Sequence, residues 1–251
     1  GPKGEVLEAP DWDAFEPEAR AWLADADALA VVELESMKSA DLERTARDLV
    51  RHWLDLPVVC GHELFSDLNI LQRGAGTLLN ARLFPVIAEF LEAIRKALLA
   101  RSIRAPVVIV RSDGSLMSET FTAARPVETL LCGPAASVAG GLALTREPDA
   151  VLVDMGGTTT DIALLRAGSP VRTREGIQVG KWRTFVRGVL METFGLGGDS
   201  AIRFTPDGRL TLGPERVIPL CAAAARWPGV LPRLAAIVAD ADGVFYEGGA
   251  G

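Results

Sequence analysis

VLVDMGGTTTDIALL, residues 151–165, sets two short apolar runs on either side of a glycine–threonine turn. Val151-Leu152-Val153 and Ile162-Ala163-Leu164-Leu165 are rich in branched side chains and bounded by turn residues. That pattern suits buried strands better than a helix. Between the runs, Gly156 and Gly157 lack a Cβ, so the backbone is able to turn tightly and approach an anion. Thr158, Thr159 and Thr160 add hydroxyls to a row of backbone N–H donors, and concave rows of this kind bind phosphate. Asp154 and Asp161 bracket the turn. A carboxylate beside phosphates is repulsive unless a cation lies between, so Asp154 is read as facing a hydrated Mg²⁺. The plain alternative is a hairpin with a polar Gly-Thr turn.

The chain has 251 residues, enough for one large or two modest domains. Hydrophobic residues make up 49% and charged ones 24%, the balance of a globular chain and not a disordered one. A net charge of −7 argues against broad binding to nucleic acid or anionic membranes. Cys60, Cys132 and Cys221 are odd in number and widely spaced, which gives neither a disulfide framework nor a zinc pattern. Buried and inert is the expected state of all three, in a reducing cytoplasm. No apolar stretch reaches the ~20 residues of a membrane helix, and no secretory signal is evident. Gly1-Pro2 reads as a protease scar.

Residues 1–38 read as the end of a preceding unit, with a helix near Glu16–Ala26 and a strand at Ala28–Val32. Residues 39–105 read as mainly helical. Ser39 is the expected N-cap of a helix with Asp41 and Glu43 in its first turn, where they complement the dipole. Leu42, Ala46, Leu49, Val50 and Trp53 form its apolar face, and Glu43, Arg44, Arg47, Asp48 and Arg51 its polar one. Val58–Cys60 reads as a strand, and 83–99 as a helix with a stripe of Leu83, Ile87, Phe90, Leu91, Ile94 and Leu98. From 106 to 251 the pattern is an α/β core carrying the phosphate turn. It holds a buried strand at Pro106–Val110, a turn at Arg111–Gly114, and Pro134 at a helix N1 position. A hairpin turns at Gly208, a last helix covers Leu231–Val238, and the glycine-rich end at 248–251 reads as frayed. The alternation of strands and helices indicates a mixed-sheet α/β domain.

Several segments resemble, in order, the hydantoinase A/5-oxoprolinase family of the actin-like (ribonuclease H-like) ATPase superfamily. Gly61-His62-Glu63-Leu64 resembles its Ser-His-Glu segment, and Arg73 through Thr77 to Asn80-Ala81 its Arg…Thr…Asn-Ala segment. Arg111–Gly114 is similar to the Gln-Ser-Asp-Gly turn, and Cys132–Ala136 to Ser-Gly-Pro-Ala-Gly. Asp154–Asp161 resembles the second of two D-x-G-G-T-x-T-D loops. Gly195–Ser200 resembles Gly-Ala-Gly-Gly-Gly-Ser, and Gly213-Pro214-Glu215 the element after it. The likeness covers roughly residues 28–220. Three features depart from the pattern: no first phosphate loop precedes these segments, Cys132 replaces serine, and Asp199 replaces glycine. The first departure implies a fragment, or a protein whose other half is a separate chain.

The resemblance implies that Asp154, Gly156, Gly157, Thr158 and Thr159 hold the β/γ-phosphates of ATP and Mg²⁺. Gly197 and Gly198 would lie against the adenosine, with Asp199 or Ser200 reaching a hydroxyl. It implies ATP-dependent opening of a cyclic amide or imide of the hydantoin or 5-oxoproline type. The carbonyl oxygen would receive the phosphoryl group, with Asp161 or Asp154 orienting the attacking group. A carboxylase subunit of the same family and a non-catalytic nucleotide-binding module are the alternatives. A second subunit or a homo-oligomer is the expected partner, with neither nucleic acid nor membrane. His62, Asn80, Ser112 and Asp113 are the substrate candidates. His62 equally suits a loop-structuring hydrogen bond, since a metal site needs ligands from elsewhere. Ser112 and Asp113 either line a crevice at a strand end or cap the next turn.

Overall fold

The computed structural model describes residues 5–145 and 147–245, so the readings of Gly1-Pro2 and of 248–251 lie outside the described residues. The chain divides into two compact units, residues 1–150 with 164–190, and residues 151–163 with 191–251. The elements are α1 (Trp12–Trp22), β1 (Leu29–Val31), α2 (Asp41–Trp53), β2 (Val58–Cys60), α3 (Gly61–Leu64), α4 (Ile70–Ala100), β3 (Val108–Val110), β4 (Leu116–Ser118), α5 (Glu119–Ala124), a 3₁₀ turn (Pro126–Thr129) and α6 (Cys132–Leu144). They continue with β5 (Ala150–Met155), β6 (Thr160–Arg166), β7 (Ser169–Pro170), β8 (Gln178–Val179), β9 (Trp182–Arg183), β10 (Met191–Phe194), β11 (Ser200–Phe204), β12 (Leu210–Arg216), α7 (Leu220–Arg226) and α8 (Val230–Phe245). This is a mixed α/β fold with small sheets, as the alternation of patterns predicts. Among the described residues no helix is long and apolar enough to cross a membrane.

In the first unit, β1 and β2 pair in parallel, Leu29 with Val58 through Val31 with Cys60. One buried cluster joins Val59, Leu64, Phe65, Ala81, Val127, Ile177 and Val186, which brings residues 177–186 back into the core of residues far earlier in the chain. A second cluster, Leu23, Val50 and Val58, anchors α2. Asn69 caps α4 by accepting from the Leu71 and Gln72 N–H groups, so the helix starts well before the expected residue 83 and carries Pro85 inside it. Of its expected stripe, Ile87 and Leu91 are buried while Phe90 is exposed.

Local chemistry shifts several boundaries. Asp11 caps α1, accepting from the Ala14 N–H at 3.0 Å, and places it earlier than the expected 16–26. Ala40, not Ser39, is the N-cap of α2; the Ser39 hydroxyl donates to Asp41 at 2.8 Å instead. Helix α6 begins at Cys132, which makes Pro134 its third residue and not its first. The expectation of fully buried strands fails at Val108, Val151 and Val153, which are exposed: among the described residues β3 has only β4 as a partner, and β5 lies at the end of its sheet. Cys60 is buried as expected, but Cys132 is half-buried and Cys221 exposed.

In the second unit, strands run in the order β10-β6-β5, and β10 pairs antiparallel with β6, Thr193 facing Asp161. Strands β11 and β12 form the expected hairpin, with Gly208 at a φ of 80°, a conformation that favours glycine.

Candidate functional site

Two loops of the second unit meet backbone to backbone. The first links β5 to β6 and the second lies between β10 and β11. The Gly198 N–H donates to the Gly156 carbonyl at 3.0 Å, and the Asp199 N–H to the Gly157 carbonyl at 2.8 Å. The Thr160 hydroxyl donates to the Leu196 carbonyl at 2.7 Å, so this buried threonine braces the second loop and is not part of the outward hydroxyl row. A Cβ on Gly197 would lie 2.4 Å from the Gly157 carbonyl oxygen. The bare Cα of Gly197 is therefore required for the two loops to touch. Its surroundings are the first loop, where the family resemblance implied adenosine.

Gly156 and Gly157 behave differently. Neither has a positive φ. A Cβ would find only ordinary contact at Gly156, 3.6 Å from the Thr159 oxygen, and nothing within 4 Å at Gly157. The fold does not demand glycine at either position. Both are exposed, as are Asp154 and Thr158. Among the described residues the N–H groups of Gly157 and Thr158 meet no acceptor, while the Gly156 N–H closes the loop onto the Thr159 carbonyl at 2.9 Å. Amides of exposed residues with no acceptor of their own are what a bound anion uses.

Around this turn the charged side chains take distinct places. Asp154, near the end of β5, is exposed. The Thr193 hydroxyl donates to one oxygen of Asp161 across the β10–β6 pair, at 2.5 Å. Asp199 forms an ion pair with Arg216 at 2.5 Å and accepts from the Thr158 hydroxyl at 3.5 Å. Arg216 also donates to the Thr158 carbonyl at 3.2 Å. The aspartate that departs from the family pattern thus comes with an arginine that ties it to the Gly156–Thr159 turn, a partner sequence reasoning missed. Ser200 is buried, and its hydroxyl oxygen accepts the Gly197 N–H at 2.9 Å, so it holds the second loop closed.

The remaining candidates lie in the first unit. Asn80 is fully buried, donating to the Ala124 carbonyl at 3.2 Å and accepting the Val127 N–H at 3.1 Å. Arg73 and Thr77 are buried on the same helix, and the Arg73 guanidinium donates to the carbonyls of Glu33, Leu34 and Asp67. Ser112 is buried and donates to the Glu128 carbonyl at 2.9 Å. Asp113 caps the turn, accepting from the Ser115 N–H at 3.0 Å and hydroxyl at 2.5 Å. Of the two readings for that pair, Asp113 holds its own turn, while Ser112 ties that turn to Glu128, sixteen residues on. Burial works to raise the Asp113 carboxyl, but the Ser115 bonds and the nearby Arg111 and Arg172 charges hold it below its ordinary value.

His62 meets a residue that the sequence had put on the solvent face of α2. Glu43 is 1% exposed. Its carboxylate accepts the Glu33 N–H at 2.8 Å, the His62 N–H at 2.9 Å and His62 Nδ1 at 2.6 Å. Burial pushes the Glu43 carboxyl up, yet these bonds outweigh it and hold the group below its ordinary value. Glu63 points elsewhere, to the Cys60 N–H at 3.1 Å and to Arg47 at 2.5 Å. Cys60 completes a ligand-like trio, since atoms of Glu43, Cys60 and His62 lie within 4.8 Å of one another. Desolvation, with the Glu63 and Glu43 charges, pushes the Cys60 thiol up to about 12. A protonated thiol and a closed His–Glu hydrogen bond fit a bonded cluster better than a metal cage. The long-range pairing of 43 with 62 left no periodic signal that could have revealed it.

Residues 73–226 match the family described as hydantoinase/oxoprolinase. The alpha subunit of caprolactamase from Pseudomonas jessenii is 29% identical over 75% of this chain, covering 27% of that protein. The solved ATP-dependent caprolactamase from the same organism superposes with a TM-score of 0.69 at 26% identity, covering 85% of this chain and 32% of that one. A nucleotide-free acetone carboxylase gives a TM-score of 0.67 at 24% identity, over 82% of this chain and 30% of the other, and shares the fold. The chain spans about a third or less of each of these proteins.

Proposed function

Because the chain belongs to the hydantoinase/oxoprolinase family, we propose that it supplies phosphate-binding elements to an ATP-dependent enzyme that opens a small cyclic amide or imide. The observation that carries this reading is the exposed turn at Gly156-Gly157, glycine where the fold does not require it, with N–H groups at Gly157 and Thr158 that meet no acceptor among the described residues. Gly156, Gly157, Thr158 and Thr159 line the β/γ-phosphates, and Gly197 and Gly198 shape the second loop toward the nucleotide. Asp154 suits a water-mediated contact to Mg²⁺, which when bound offsets phosphate charge. Asp161, with one oxygen held by Thr193, has the other available to orient the attacking group.

Ring amides are resonance-stabilised and poor electrophiles. Transfer of the γ-phosphoryl to the carbonyl oxygen makes the carbon open to attack, and the protein's share is positioning and charge stabilisation. The caprolactamase relative supports an amide ring as the substrate class, and its name as an alpha subunit supports a second subunit as partner. The test is ADP release by the full-length protein with hydantoin, 5-oxoproline, caprolactam or acetone, each with and without bicarbonate. Ring-dependent release without added bicarbonate is expected. Release only with bicarbonate and a ketone would move the chain to the carboxylase reading, and no substrate-dependent release would overturn both.

A further inference from the structure

An open polar groove of about 460 Å³ lies in the first unit, lined by Ser36, Lys38, Ser39, Arg44, His62 and Ser66 among others. His62 is the lining residue whose ring is fixed from behind. Its Nδ1 lies 2.6 Å from Glu43 Oε2, and Glu43 is buried and bonded as a carboxylate. With the proton on Nδ1, the lone pair sits on Nε2, which has no partner among the described residues. Two backbone amides already bind Glu43 into the loop, so fixing that loop does not need the imidazole. A buried carboxylate that sets the tautomer of a histidine facing an open groove is the arrangement that makes imidazole a base.

We propose that His62 and Glu43 form a proton-transfer dyad acting on a small carbonyl compound in this groove, with Nε2 as the base and Glu43 as its positioning carboxylate. This rests on the ring-opening reading for its substrate class. As a water oxygen bonds to the carbon of the O-phosphorylated ring amide, one water proton passes to Nε2 and the C=N π pair moves onto nitrogen. When the C–N bond breaks, the nitrogen takes the bonding pair and the proton from Nε2. An oxygen pair of the new hydroxyl closes the carbonyl as its proton goes to solvent, and the acyl phosphate left is hydrolysed by water. The imidazole ends as it began. Lys38, Arg44 and Asp41 line the groove, with Lys38 paired to Glu35 and Arg44 to Asp41, which keeps its surface polar.

The experiment uses the full-length protein in two arms. In the first, ring opening is followed in wild type, His62→Ala and Glu43→Gln, with nucleotide affinity as a check on folding. The expected result is a fall in kcat of about 100-fold or more for His62→Ala, partial recovery with added imidazole, and unchanged nucleotide affinity. Glu43→Gln falls less and does not respond to imidazole. The second arm measures hydrolysis of p-nitrophenyl acetate without ATP, comparing wild type with His62→Gln; a tenfold or greater loss is expected. Equal ester hydrolysis in those two proteins overturns the dyad. If ester hydrolysis depends on His62 while no ring is opened by wild type, the dyad stands and the ring-opening reading fails.

Discussion

The glycine turn at 156–157 and the Glu43–His62 pair are two candidate sites made in opposite ways. The turn is built from neighbours in sequence, on the loop between two strands, and its reactive groups are main-chain amides. The pair is built from residues nineteen apart, one on α2 and one on α3, and its groups are side chains, with the buried Glu43 holding the His62 ring. A site of the first kind tolerates changes in what surrounds it but not in its own backbone. A site of the second kind depends on every element that closes around it.

Paired glycine variants test that contrast most strongly. Gly197→Ala forces a Cβ into the Gly157 backbone, and a loss of about 1–3 kcal/mol is expected with nucleotide affinity at least tenfold weaker. Gly157→Ala has open space for its methyl, so stability should stay within about 0.5 kcal/mol while nucleotide affinity still drops. Urea unfolding and calorimetric nucleotide titration read the two effects separately. Equal affinity in wild type and Gly157→Ala would remove the reason for glycine at that position.

Glu43→Ala comes next, because it leaves buried N–H donors of Glu33 and His62 without their acceptor. A cost of about 1–3 kcal/mol is expected in urea unfolding. The lowered Glu43 carboxyl gives this a pH signature. A folded value below the unfolded one contributes stability that is present above roughly 4.3, the ordinary glutamate value, and is lost as pH falls through the lowered one. The stability gap between wild type and Glu43→Gln should therefore narrow in acid; a constant gap would show that the carboxylate's charge is not what matters.

Smaller effects are expected at the surface of the second unit. Asp199 and Arg216 are both partly exposed, so Asp199→Ala should cost no more than about 1 kcal/mol of stability, read as a small shift in melting temperature. The smallest effect concerns thiols. At pH 8 the exposed Cys221 should react with iodoacetamide before Cys60, whose raised pKa keeps it protonated. Rapid modification of Cys60 in the folded protein, read by mass spectrometry, would mean that its burial is not maintained in solution.

The amino-acid order by itself determined the elements around 151–165 and 200–212, because alternating turn residues and branched runs act over a few neighbours. It also determined the family, because the matching segments fall in order along the chain. Only the tertiary structure decided that Glu43 turns inward to His62, that Asp199 pairs with Arg216, and that Ser112, Asn80 and Ser200 hold loops in place. Helical periodicity put Glu43 on the polar face, since a glutamate in a first turn is ordinarily solvated. What overrode it was a set of donors brought together from residues 33 and 62. Local pattern fixes which way a segment coils; the partners that make burial of a charge favourable come from elsewhere in the chain, and only the closed fold assembles them.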